Sequence, residues 1–155
     1  MWVPLMVLEK LLLKVVKVDT NESAQNHWSA CPAMTVLPLN SIVAQASLRP
    51  GGTLYVKGYA MPGDSGNVEI VDISLDEGKT WQPTRIIYQE GLWSWTLWEV
   101  EIGCLGDSGV VYSRATDVAG NVQPQEGTWN FRGVAYNGWG VRSWRAAEVD
   151  HTRLV

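Results

Sequence analysis

The sequence predicts an all-β protein, a sandwich of short strands behind an irregular N-terminal extension. Nine Trp and five Tyr stand beside a single Phe, with 15 Gly and seven Pro in 155 residues, a balance that favours strands and tight turns over helices. Apolar residues recur with period two in several short stretches, and turn-forming clusters separate these at intervals of about 8–12 residues. A chain of this length buries roughly two-thirds of its surface on folding. With 46% hydrophobic and 18% charged residues, it has the composition of a globular chain with a real core.

Charge and ligand counts exclude several functions. Twelve Lys and Arg against 16 Asp and Glu give a net charge of −4, so no basic footprint draws a phosphate backbone and nucleic acid is not an expected partner. Cys31, Cys104, His27 and His151 are too few for a disulfide framework or a zinc cage, and no metal site is expected. The histidines lie towards the two ends, and pairs such as Asp76-Glu77 sit on turns. No nucleophile and base stand together, so the chain is not expected to be catalytic on its own.

The elements follow in order. The first 18 residues are apolar with Lys10, Lys14 and Lys17 interspersed, and the longest unbroken apolar run, Met1 to Leu8, is far short of the ~18 residues that span a bilayer. The lysines lie within or behind the apolar stretch rather than before it, unlike a secretory signal, so the segment reads as an amphipathic element that packs on something, with no membrane partner. Such an apolar end suggests a chain cut from a larger protein. Asn21-Glu22-Ser23 is a glycosylation sequon that has meaning only in a secreted chain.

From Asn26 to Gly52 the text is loop-like, with one short strand expected at Ser41 to Ala46 before the turn Arg49-Pro50-Gly51-Gly52. Thr53 to Ala60 alternates, Met61 to Gly66 turns, and Asn67 to Leu75 is rich in β-branched residues. Asp76 to Lys79, with Gly78 available for positive φ, makes a hairpin into a strand from Trp81 to Tyr88. Leu92 to Ile102, LWSWTLWEVEI, is expected to bury Trp93, Trp95 and Leu97 on one face and to turn Ser94, Thr96 and Trp98 the other way. Tryptophan on both faces implies a second contact surface, so Trp95 and Trp98 are the candidates for an interface. Strands from Gly109 to Asp117 and from Thr128 to Val134 complete six or seven, the number an immunoglobulin-like sandwich requires.

Single motifs are weak. Ser74-Leu75-Asp76-Glu77-Gly78-Lys79-Thr80-Trp81 fits the Asp-box hairpin of sialidase-type propellers, but a propeller repeats its blades and this chain has one copy. Asp117 with Gly120-Asn121 supplies one carboxylate, well short of the six to eight oxygens of a calcium site. Turn chemistry explains both.

The combination is more specific. Gly66 to Trp81, then Trp93-Ser94-Trp95-Thr96-Leu97-Trp98, then Arg114 to Pro124 with Trp129-Asn130-Phe131-Arg132-Gly133-Val134 and Asn137-Gly138-Trp139, in this order, resemble the C-terminal dimerisation domain of molybdenum-cofactor oxidoreductases, the sulfite oxidase and assimilatory nitrate reductase family. The resemblance covers roughly Cys31 to Trp139. Lys14 to Val18, Glu22-Ser23 and His27-Trp28 look like the tail of the preceding molybdopterin-binding domain. The resemblance implies three parts: residues 1–30 as remnant and linker, 31–141 as an immunoglobulin-like domain of E-set type that forms a homodimer, and 142–155 as a polar tail.

Intact relatives oxidise sulfite to sulfate at a molybdenum held by a pterin dithiolene and a cysteine of the preceding domain. The resemblance therefore implies molybdenum-molybdopterin in the intact enzyme and no cofactor in this chain, since neither Cys31 nor Cys104 matches the ligand motif. Arg132 matches the family's late arginine that reaches the oxyanion substrate, a role suited to a planar, permanently charged fork. At Asn137 to Arg142 the family's usual histidine is missing. No compartment follows from the residues, although the animal-type relatives imply a mitochondrial one. A tryptophan-rich carbohydrate-binding sandwich is the alternative.

Overall fold

A computed structural model of the chain describes residues 30, 35–103, 106–127 and 135–146. The N-terminal segment and its sequon, both cysteines, both histidines, Arg132 and the strand expected over 128–134 lie outside these residues. Leu37–Thr128 together with Ala135–Val155 forms one compact unit, which contains every strand named below.

Eight strands run in chain order: β1 Asn40–Arg49, β2 Thr53–Met61, β3 Val68–Ser74, β4 Gln82–Pro83, β5 Arg85–Tyr88, β6 Thr96–Gly103, β7 Ser108–Asp117 and β8 Gly140–Arg145. They form two four-stranded antiparallel sheets, β1-β2-β6-β5 and β4-β3-β7-β8. The all-β, immunoglobulin-like sandwich expected from the sequence is the architecture found.

Alternation explains the core. Along β2, Leu54, Val56 and Ala60 point inward while Tyr55, Lys57 and Tyr59 point out, and β3 and β7 supply Val71, Ile73, Val111 and Ala115 from the facing sheet. Trp98 and Trp144, one from each sheet, complete it. Each lies across its own sheet over a glycine, Trp98 over Gly58, where a side chain would overlap the indole, and Trp144 over Gly109, where one would crowd it. On the side where β1 runs beside β8, a buried hydrogen bond from the Ser41 hydroxyl to that of Ser113, 3.2 Å, joins the sheets.

Two elements differ from expectation. The single strand expected from Trp81 to Tyr88 is divided at Thr84, with β4 in one sheet and β5 in the other. Pro83 cannot donate into a ladder, so pairing ends there, and Thr84 holds the crossover with its amide and hydroxyl on the Val71 carbonyl, each at 2.8 Å. The boundary expected at 141 falls inside β8. The first four residues of the expected polar tail are strand, in register with Ser108 to Val111 of β7.

Candidate functional site

The outer face of the β1-β2-β6-β5 sheet carries an apolar row across all four strands. Register sets Ile42 opposite Tyr59, Tyr59 opposite Leu97, and Leu97 opposite Tyr88. Ile42, Leu97 and Tyr88 are exposed, and Tyr59 is half-buried because the Trp95 ring stands edge-on against it, with centroids 5.0 Å apart and an interplanar angle of 87°. A bulge between Ile86 and Tyr88 turns both Ile87 and Tyr88 outward at the free edge.

One pleat further along the strands the face becomes charged. Lys57, Glu99 and Arg85 are register partners, Arg85 forms an ion pair with Glu99, and the Tyr55 hydroxyl donates to Glu99 at 2.8 Å. The Tyr55 hydrogen bond, against partial desolvation and with help from Arg85, holds the Glu99 carboxyl below its ordinary range. Arg49 pairs with Glu101 and stacks over Tyr55, its guanidinium carbon 4.1 Å from the ring centroid. Lys57 makes no ion pair among the described residues. The face is therefore half apolar and half charged, as in an interface with a dry centre and a polar rim.

The structure separates the two tryptophans singled out in the sequence. Trp95 is 52% exposed on the apolar row, whereas Trp98 is 0% exposed within the sandwich and cannot itself contact a partner. The expected parity of this stretch is thus reversed: Thr96 and Trp98 face inward, and Trp93, Trp95 and Leu97 face out. The alternation itself is as expected, with 93, 95 and 97 on one face and 94, 96 and 98 on the other; only the side that faces inward is exchanged, because Gly58 opposite Trp98 leaves the indole its place inside the sandwich. The strand starts at Thr96, after Gly91 at φ 65° and Trp93 at φ 61°. Left-handed backbone costs a bulky residue about 1–2 kcal/mol.

On the outer face of the other sheet Ile70, Val110 and Val141 are exposed, and the aromatic residues are tied up internally. Arg114 lies 4.1 Å from the centroid of Trp81 and donates to Asp72 at 3.3 Å, while Trp139 stands edge-on to both Trp81 and Tyr112. These rings pack on one another rather than presenting open platforms. The Asp-box-like hairpin is a structural staple: the Asp76 carboxylate accepts from the Thr80 hydroxyl at 2.6 Å, the Thr80 amide and the Ser74 hydroxyl. Those bonds, the Thr80 pair first, pull its pKa down to about 2. Asp117 is buried, which raises its pKa, but donors on Asn121, Ser65 and Ala119 outweigh that and keep it low. Asp76 is engaged by its own hairpin, and Asp117 by its own turn together with Ser65.

Among the described residues no three His, Cys, Asp or Glu side chains converge on a point that could hold a metal, and no helix is long and apolar enough to cross a membrane. Sequence reasoning found Trp95 but missed Ile42, Tyr59, Leu97 and Tyr88 as a row, because only strand register brings four residues from four strands into line.

Comparison with known proteins shows the family. The family model described as the Mo-co oxidoreductase dimerisation domain matches residues 30–147. Sulfite oxidase of Gallus gallus is 37% identical, with the match covering 72% of this chain and 27% of that protein. Inducible nitrate reductase [NADH] 2 of Glycine max is 34% identical over 67% of this chain and 12% of that protein. Among solved structures, the sulfane dehydrogenase SoxCD of Paracoccus pantotrophus superposes with a TM-score of 0.55 at 27% identity, covering 72% of this chain and 33% of that one. The chain thus spans about a quarter of the length of the sulfite oxidase it matches, and nothing in these matches supports the carbohydrate-binding alternative. A two-sheet sandwich with a half-apolar outer face, matched over most of its length by one family model, identifies the chain as a member of the Mo-co oxidoreductase dimerisation domain family.

Proposed function

We propose that this chain is the self-association module of a sulfite-oxidase-type molybdenum oxidoreductase, and that two copies meet through the outer face of the β1-β2-β6-β5 sheet. The observation that carries the choice of face is the row Ile42, Tyr59, Leu97 and Tyr88, capped by Trp95. Apolar area of this extent on one side of a sandwich is the usual mark of a protein contact. On the opposite sheet, much of the aromatic area is consumed in packing between Trp81, Trp139 and Tyr112.

In the intact enzyme a molybdenum and its pterin, held by the preceding domain, would supply the two-electron redox chemistry that takes sulfite to sulfate. This chain's contribution there is Arg132, whose guanidinium donates hydrogen bonds to the oxyanion and offsets its charge. Residues 1–30 belong with that preceding domain, and the sandwich extends through Arg145. Such an arrangement makes this chain a structural partner in the reaction rather than an enzyme by itself.

Sedimentation velocity on the full 155-residue chain tests the face. The wild type is expected near twice 17.2 kDa, with Trp95→Ala and Leu97→Ser shifting it towards monomer while the circular dichroism spectrum stays unchanged. A folded dimer indifferent to both substitutions would sink the assignment.

A further inference from the structure

The four-stranded face alone is too small for a stable contact. Four strands about 4.8 Å apart, with the outward rows from Leu97 to Glu101 and a margin for side chains, project roughly 400 Å². A standard interface buries about 800 Å² per partner. The apolar surface does not stop at the sheet, however. Trp95, edge-on to Tyr59, ends the loop from Gln89 to Trp95, which also carries Leu92, 66% exposed, and Trp93, 53% exposed.

That loop is held rigidly despite its exposure. The Gln89 side-chain amide donates to the Val68 carbonyl at 2.9 Å and to the Thr96 hydroxyl at 2.8 Å. The Trp93 amide donates to the Gly66 carbonyl at 2.8 Å, and the Asn67 amide, oriented with its nitrogen towards acceptors, reaches the carbonyls of Gly66 and Gly91 at 2.9 Å each. These bonds fix Trp93 in left-handed backbone at φ 61°, a conformation that a large aromatic residue avoids unless its surroundings impose it. A strained, rigid loop that displays Leu and Trp to water is costly as a free surface and useful as a preformed anchor.

Resting on the self-association reading above, we propose that the Gln89–Trp95 loop is the second half of the interface between two copies of this chain, with Leu92 and Trp93 as its anchors and Gln89 and Asn67 as residues that position them. A second copy is the occupant the observations favour, because Trp95 joins the loop to the sheet face at Tyr59 and the family is one of dimerisation domains.

The strain supplies a discriminating test. Glycine adopts positive φ freely, so Trp93→Gly relieves the backbone while deleting the anchor. In the full chain this variant is expected to raise the dimer dissociation constant, measured by sedimentation, about tenfold or more. Its melting temperature, measured at a dilution where the protein is monomeric, is expected to fall by no more than about 4 °C. Leu92→Ser should weaken the dimer in the same sense, and Gln89→Glu, an isostere without the donor, should do so through loss of positioning. Trp95→Ala is measured in parallel. A dimer weakened by Trp95→Ala but unchanged within twofold by both Trp93→Gly and Leu92→Ser would overturn the loop's role and leave the sheet face standing. Loss of melting temperature well beyond that limit for Trp93→Gly, with Leu92→Ser neutral, would make the loop structural and overturn it too. A chain monomeric at every concentration would overturn both readings.

Discussion

Gly58 and Trp98 face each other across β2 and β6, and the indole occupies the space that a side chain at Gly58 would need. A Cβ there would overlap the Trp98 ring and also the Ile42 carbonyl of β1, so neither neighbour can yield without moving a strand. Gly58→Ala is therefore expected to destabilise the sandwich by about 3 kcal/mol, and Trp98→Ala by about 3–5 kcal/mol through the cavity it leaves. Urea denaturation of the two variants checks this. Because Trp98 is internal, its effect on self-association should appear only through stability, whereas that of Trp95 should appear without it.

Gln123 is the polar counterpart of that contact. It is buried, its carbonyl oxygen accepts from the Ala115 amide at 3.1 Å, and its nitrogen donates to the Gly138 carbonyl at 2.7 Å and to the Asn40 side chain at 3.1 Å. The side chain thereby ties β7, β1 and the approach to β8 together. Gln123→Leu fills similar volume but strands those groups, at an expected cost of about 3 kcal/mol. Faster amide exchange at Trp139 and Gly140 than at Leu54 in the variant would locate the damage.

Asp76 gives the fold a pH dependence at its acid end. Its folded pKa of about 2 lies below the ordinary 3.8, so the stabilisation it provides is complete above about pH 4 and is lost as pH falls towards 2. Asp76→Asn should melt at a lower temperature than the wild type at pH 7, and the gap should narrow by pH 2. A gap that stays constant between those pH values would show that the carboxylate charge contributes nothing.

Much of the fold was legible because alternation and turn chemistry are local. Thr53 to Met61 and Ser108 to Asp117 were identified nearly to their ends, and Pro50-Gly51-Gly52 and Asp76 to Lys79 fixed the hairpins. What failed depended on non-local geometry. The two alternating sets of the tryptophan stretch were read correctly but the inward side was exchanged, because it is Gly58 on the neighbouring strand that makes room for Trp98 inside the sandwich. β8 read as a tail because Val141, Arg142 and Ser143 are exposed on an edge strand, leaving Trp144 alone to mark the inward face. Pro83 was the available signal for the β4–β5 crossover. Arg132 lies outside the described residues, so its role rests on the family resemblance.

The central claim is that two copies meet on the β1-β2-β6-β5 face, and hydroxyl-radical footprinting of the full chain at high and low concentration tests it most directly. The account predicts that Trp95, Tyr88 and Leu97 become protected as concentration rises while Tyr112 and Val141, on the other sheet, keep constant reactivity. Protection that appeared at Tyr112 and Val141 and left Trp95 unchanged would place the contact on the opposite sheet and contradict it.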